Sequence, residues 1–114
     1  MAKVISPGEV APIIEKGDWV VFVSAPWCGP CVAMEKSLKA LMDRFHDANS
    51  VYVSVEDRGQ SMIDTPIAHI RGFPSVIHFK DGKALTTDIN NLFKAQNLLK
   101  KFSNVENKKE DEEE

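Results

Sequence analysis

The stretch "FVSAPWCGPCVAMEKSL", Phe22 to Leu38, holds both cysteines of the chain, Cys28 and Cys31, with only Gly29 and Pro30 between them. Ahead of the cysteines, "DWVVFVS" (Asp18–Ser24) is an almost unbroken, valine-rich apolar run. That is the pattern of a strand buried on both faces inside a partly parallel sheet. Behind them, Met34, Leu38, Leu41, Met42 and Phe45 recur at intervals of three and four and predict a long helix. The thiols therefore stand at a strand-to-helix junction, Cys28 at or just before the first helical turn. Unpaired amides and the macrodipole at a helix start favour an anion, so this placement favours a Cys28 thiolate. Only the thiolate attacks a disulfide. Cys31 lies one turn further in, directed back towards Cys28, shielded and positioned to attack a mixed disulfide formed there. Pro30 fits a first helical turn and restricts the dithiol before folding.

Working outward, Ser6-Pro7 has the chemistry of a helix start, with Pro12 interrupting that helix or marking a later one. "VYVSV" (Val51–Val55) predicts a second strand, and Gly59 to Arg71 is irregular, with room for one short helix broken near Pro66. "SVIHF" and "ALTTDI" flank "KDG", where Asp81-Gly82 signals a hairpin. Leu92, Phe93, Leu98, Leu99 and Phe102 form the stripe of a closing helix. The order β-α-β, a connecting segment, then β-β-α predicts an α/β fold: a central mixed β-sheet, parallel early and antiparallel late, flanked by helices on both faces. Residues 1–103 are expected to form one domain and 104–114, ending in "KKEDEEE", an acidic, disordered tail.

Composition narrows the function classes. A chain of 114 residues that is 43% hydrophobic buries a core without staples, and two cysteines are too few for a secreted disulfide scaffold. The first residues lack the apolar run of a signal peptide, and no stretch reaches membrane-span length. A cytoplasmic protein with reduced thiols is expected. At net charge −3, without a dense basic cluster, neither nucleic acid nor a membrane surface is an expected partner.

Competing roles for the thiols fit less well. A disulfide closing so short a loop removes little chain entropy, and a reducing compartment disfavours it. Zinc needs four ligands, but there is one Cys-x-x-Cys, and His46, His69 and His78 are widely separated, so no metal is expected. Two idle buried thiols leave the Trp-Cys-Gly-Pro-Cys context unexplained.

"WCGPC" (Trp27–Cys31), together with "IRGFPS" (Ile70–Ser75) and the following "FKDG", resembles the thioredoxin family over about Ile5 to Phe102. The resemblance implies the thioredoxin fold, with Cys28 as attacking and Cys31 as resolving cysteine, Pro74 as a cis-proline facing them, and Trp27, Gly29, Pro30 and Phe73 as groove and support. It also implies a protein-disulfide reductase: an electron carrier of cell redox homeostasis whose redox-active center is the Cys28–Cys31 dithiol. No bound cofactor is expected. Its partners would be disulfide-containing target proteins and a thioredoxin reductase, with the chain itself a monomer. The Gly-Pro pair resembles that of reducing members. A glutaredoxin-like reading would need a glutathione site, and none is legible. The alternative from another class is a thioredoxin-fold binding module whose cysteines are not essential.

The chain departs from the family's pattern at several positions. Phe22 stands where a buried aspartate is usual, and the lysine that commonly faces it is read as replaced by Val53. Proton removal from Cys31 would then need water or another base. Ser24, Lys36 and Asn90 stand in place of a tryptophan, a helix-kinking proline and a groove glycine; Lys36 predicts a straighter helix. Ala25, Ile70, Gly72 and Phe73 are candidates for an apolar rim, with core packing an equal reading for Ile70 and Phe73. His69 reads as a surface histidine near Pro74, Glu56 and Asp57 as structural, and Met34, Met42 and Met62 as core filling.

Overall fold

The computed structural model describes residues 3–89 and 92–104. In chain order, β1 (Val4–Ile5) leads through a 3-10 turn at Pro7–Glu9 into α1 (Val10–Ile13). Next come β2 (Asp18–Ser24), α2 (Gly29–Arg44), β3 (Ser50–Ser54) and a 3-10 turn at Gln60–Met62. The chain then forms β4 (Ser75–Lys80), β5 (Lys83–Ile89) and α3 (Leu92–Lys101). The five strands make one sheet in the order β1-β3-β2-β4-β5. β2 pairs in parallel with β3 and antiparallel with β4, so the strand that delivers the cysteines is central. This is the mixed sheet expected from the strand order.

Each face of the sheet carries its own apolar layer. Val21, Val23, Val51, Val53, Ile77 and Phe79 meet Val10 and Ile14 of the α1 segment together with Met62 and Ile67 of the irregular stretch. On the opposite face Val20, Phe22, Tyr52 and Val76 meet Leu38 and Met42 of α2, Phe45 just beyond it, and Ala95 and Leu99 of α3. Strand side chains alternate between faces, so successive residues of "VVFV" feed opposite layers, and that is why the run is apolar throughout. Met42 and Met62 are buried and Met34 packs against the second layer, all three filling core.

Several expectations are refined. Pro12 interrupts nothing: it is the third residue of α1, in the first turn, where a missing N–H leaves no bond unmade. The predicted capping at Ser6 is present, with its backbone N–H donating to Glu9 Oε1 at 2.8 Å. β1 has no counterpart in the sequence reading. Asp81 and Gly82 both have positive φ, 50° and 87°, as a two-residue hairpin turn between β4 and β5 requires. The Asp81 N–H donates to the Gly17 carbonyl and the Gly17 N–H to Asp81 Oδ1, tying this turn to the start of β2.

The residue facing Phe22 is Tyr52, not Val53. In the β2–β3 register Phe22 pairs with Tyr52 and Val23 with Val53, and Val53 points into the other layer. At the C-terminal end, Asp47 accepts hydrogen bonds from the Ser103 hydroxyl and the Asn104 N–H, holding the residues after α3. Those bonds hold its carboxyl below the usual carboxylate range. Asn90 and the acidic stretch 105–114 lie outside the described residues.

Candidate active site

Cys28 is the N-cap of α2, in extended conformation at φ −101° and ψ 118°, followed by Gly29 and Pro30 in the first turn. Its sulfur accepts the Cys31 N–H at 3.3 Å, the N-cap to third-residue bond usually made by a serine or aspartate oxygen. The Cys28 N–H donates to the Ala25 carbonyl at 3.2 Å, closing the turn out of β2. A polarisable sulfur thus replaces an oxygen cap at the positive end of a 16-residue helix. Gly29 and Pro30 are exposed and leave the Cys28 side of the turn open.

Across from Cys28 runs the segment 70–75. The Phe73–Pro74 bond is cis, and the Cys28 thiol faces the Phe73 carbonyl oxygen at 3.6 Å. Pro74 is buried beneath, while Ile70 and Phe73 are half-buried and pack on the first core layer, so they serve packing and rim together. Ala25, the residue after β2, is only 2% exposed and is packed in that core, so it does not form the rim. His69 is exposed, in the groove formed by Ala68–Arg71.

Trp27, 38% exposed, closes one side. Its indole N–H donates to the carbonyls of Val55, at 3.1 Å, and Asp57, at 2.7 Å. Its ring meets Phe73 edge-on at 5.3 Å between centroids, and the Arg58 guanidinium lies over it at 4.9 Å. The Asp57 carboxylate is occupied locally, accepting from the Gly59 and Ser61 N–H groups and the Ser61 hydroxyl, a structural role as expected.

Cys31, 1% exposed, is the shielded partner. Burial, followed by its hydrogen bond with Cys28, pushes its thiol up to about 11, while hydrogen bonds from the Ser24 side chain and the Ala25 backbone pull the other way. Both cysteines are free thiols in this structure. The result is an asymmetric dithiol: one sulfur accessible and held by amide dipoles, the other neutral and covered. An accessible thiolate opens disulfides, and a covered thiol beside it closes on the adduct. The pair Ser24–Tyr52, Arg58 over Trp27, and the Trp27 bonds to the 55–57 backbone were not read from the sequence. Ser24, a hydroxyl within an apolar strand, was the one signal for the first of these.

Among the described residues no group of three or more histidine, cysteine or acidic side chains is placed to hold a metal, and no helix is long and apolar enough to cross a membrane.

The family model described as Thioredoxin matches residues 6–104. A thioredoxin of Acidithiobacillus ferridurans is 33% identical over 72 residues, covering 63% of this chain, and the matched stretch spans 65% of that relative's length. Thioredoxin Asp f 28 of Aspergillus fumigatus is 30% identical over 102 residues, covering 81% of this chain and 89% of its own. The crystal structure of the Malassezia sympodialis thioredoxin superposes with a TM-score of 0.69 at 24% identity, covering 90% of each chain, which shows the shared fold.

Proposed function

The chain belongs to the thioredoxin family, and from that premise we propose that it reduces disulfide bonds of protein targets by thiol–disulfide exchange. The Cys28 thiolate attacks one sulfur of the target disulfide; that bond breaks, one target thiolate leaves, and a Cys28–target mixed disulfide remains. Cys31 then gives up its proton and attacks Cys28 Sγ. The second target sulfur departs as a thiolate that takes up a proton, and Cys28 and Cys31 are left joined. Two electrons have passed from the dithiol to the target. No bound group is required for either step. A separate reductase returns the electrons, a thioredoxin reductase being the partner of that chemistry. We further propose that the chain works as a monomer in a reducing, cytoplasmic setting.

The observation that carries this reading is the cap: Cys28 Sγ accepts the Cys31 N–H at the start of α2 and at the same time faces the Phe73 carbonyl. Beside Cys28 stand the Phe73 carbonyl and the half-buried apolar side chains of Phe73 and Ile70, which suit an extended target segment.

The test is reduction of insulin's interchain disulfides, driven by dithiothreitol and separately by a thioredoxin reductase with its nicotinamide cofactor. Wild type is expected to accelerate precipitation of the B chain, Cys28→Ser to be inactive, and Cys31→Ser to accumulate a covalent adduct with the target. Full activity of Cys28→Ser would overturn the assignment and leave a binding module as the role of the fold.

A further inference from the structure

The loop after β3 carries both signs of charge and uses them differently. Ser54 Oγ donates to Glu56 Oε2 at 2.6 Å. The Asp57 carboxylate accepts from the Gly59 and Ser61 N–H groups and from the Ser61 hydroxyl, each at 3.0 Å. Both acids are thus engaged by their own neighbours. Arg58 instead lays its guanidinium 4.9 Å over the ring of Trp27, the residue before Cys28. Arg71 arrives from the segment that precedes the cis bond. Both arginines are exposed, and among the described residues neither forms an ion pair.

The two arginines border one cleft of about 190 Å³, whose apolar lining comes from Met62, Ile63, Ile70 and Phe73. Ile63 is 65% exposed. A cavity of about 150 Å³ accepts a benzene-sized group, so this cleft has room for one leucine- or phenylalanine-sized side chain. Asp64, next to Ile63, does not line it. Phe73 is common to the cleft and the thiol site: its carbonyl faces the Cys28 thiol at 3.6 Å, and its ring meets Trp27 edge-on.

Resting on the reading of Cys28 as the nucleophile towards protein disulfides, we propose that this cleft selects among targets. It takes an apolar side chain close to the target's disulfide, and Arg58 and Arg71 favour segments in which that side chain is flanked by aspartate or glutamate. In an extended segment, residues two apart lie on one side, about 7 Å from each other. A target cysteine at Cys28 and the residue two positions away therefore both face this surface. The planar guanidinium fork matches a carboxylate, while a lysine in the same place meets two like charges and is rejected. The chain as a whole carries a net charge of −3, so its overall field does not draw an acidic partner. The selection is local to the cleft and depends on where the target's acid lies.

The experiment uses the reduced full chain and synthetic peptides whose single cysteine is held as a mixed disulfide with thionitrobenzoate. The Cys28 thiolate bonds to the peptide sulfur, the peptide–thionitrobenzoate S–S bond breaks, and thionitrobenzoate, the better leaving group, departs as a coloured thiolate. Each peptide carries leucine two positions from the cysteine, flanked by glutamate, glutamine or lysine, on either side of the cysteine. At low salt the wild type is expected to react about fivefold faster with the glutamate than with the glutamine peptide, and about fivefold slower with the lysine peptide. These ratios converge on one as salt rises from about 20 mM to about 500 mM. Replacing the peptide's leucine with serine lowers all three rates about threefold. Arg58→Gln and Arg71→Gln each reduce the glutamate-to-glutamine ratio to about twofold, the double variant abolishes it, and Arg58→Lys retains it. Arg71→Glu turns the preference towards lysine. The ratio is the readout because a general change at the Cys28 thiol, including one transmitted through Trp27, cancels in it.

A wild type that reacts equally with the three peptides, or a glutamate preference that survives in the folded double variant, would overturn the proposal. Self-association of the wild type in sedimentation that Ile63→Ser abolishes would give the cleft to a second copy and overturn it too. A wild type that releases no thionitrobenzoate from any peptide would overturn the nucleophilic role of Cys28 itself, a different outcome.

Discussion

Phe22 and Tyr52 are direct cross-strand partners in the β2–β3 pair, and both enter the apolar layer beneath α2 and α3. The tyrosine hydroxyl is already engaged with Ser24, and Lys39 Nζ, 5.0 Å over the Tyr52 ring, is bridged to Glu35. A carboxylate introduced there would be buried without a partner. Phe22→Asp is therefore expected to destabilise the protein by at least roughly 3 kcal/mol, through both the stranded charge and the lost ring. Urea unfolding at pH 7 checks this, and a loss below about 1 kcal/mol would mean that water reaches this face.

The asymmetry of the dithiol has a direct chemical readout. Cys28 is half-buried at the open turn, while Cys31 is covered and its thiol is pushed up to about 11. Iodoacetamide at pH 7.5, in limiting amount, is expected to label Cys28 at least about tenfold faster than Cys31. Mass spectrometry of the two sites after proteolysis after denaturation measures the ratio. Equal labelling would contradict the shielding of Cys31.

Stability of the reduced protein depends on pH at the alkaline end. The folded Cys31 thiol holds its proton to about 11, against an ordinary value of 9.0. Between those values the folded state binds more protons than the unfolded state, so stability from this group is complete below pH 9 and declines as pH rises towards 11. Chemical denaturation of wild type and Cys31→Ala at pH 8, 9, 10 and 11 isolates the contribution. The wild-type curve is expected to fall more steeply over that window, and parallel curves would show that the thiol titrates alike in both states.

Trp27 links the active-site turn to the 55–57 backbone through two carbonyl acceptors and to Phe73 through an edge contact. Trp27→Phe removes the N–H but retains an aromatic face. It is expected to lower stability by about 1–2 kcal/mol and to reduce the rate of insulin reduction about threefold, mainly through KM. Thermal unfolding and initial rates at varied insulin concentration separate the two effects. An unchanged Tm would show that the indole bonds are replaced by water without loss.

The large elements were legible because their patterns are long. Asp18–Ser24 is apolar on both faces, α2 carries a sustained three-four spacing, and Asp81-Gly82 announces its hairpin. β1 was not legible: two residues, Val4 and Ile5, carry no periodicity and are strand only because β3 pairs with them. The misreading of Val53 for Tyr52 has the same origin. In "VYVSV" Tyr52 is as buried as the valines on the opposite face, and a slip of one residue exchanges the two faces. Only the register with β2 decides which side chain meets α2. At the site, the cap by Cys28 and the cis bond before Pro74 were foreseen because they depend on contiguous residues or a familiar motif. Contacts such as Tyr52 to Ser24 or Arg58 over Trp27 join residues about thirty positions apart, and no local pattern encodes them.

Because the sulfur of Cys28 is also what the first turn of α2 leans on, gaining or losing an electron pair at that atom is felt directly by the peptide backbone. The Cys31 amide is thus a built-in gauge of how charged the protein is with reducing power.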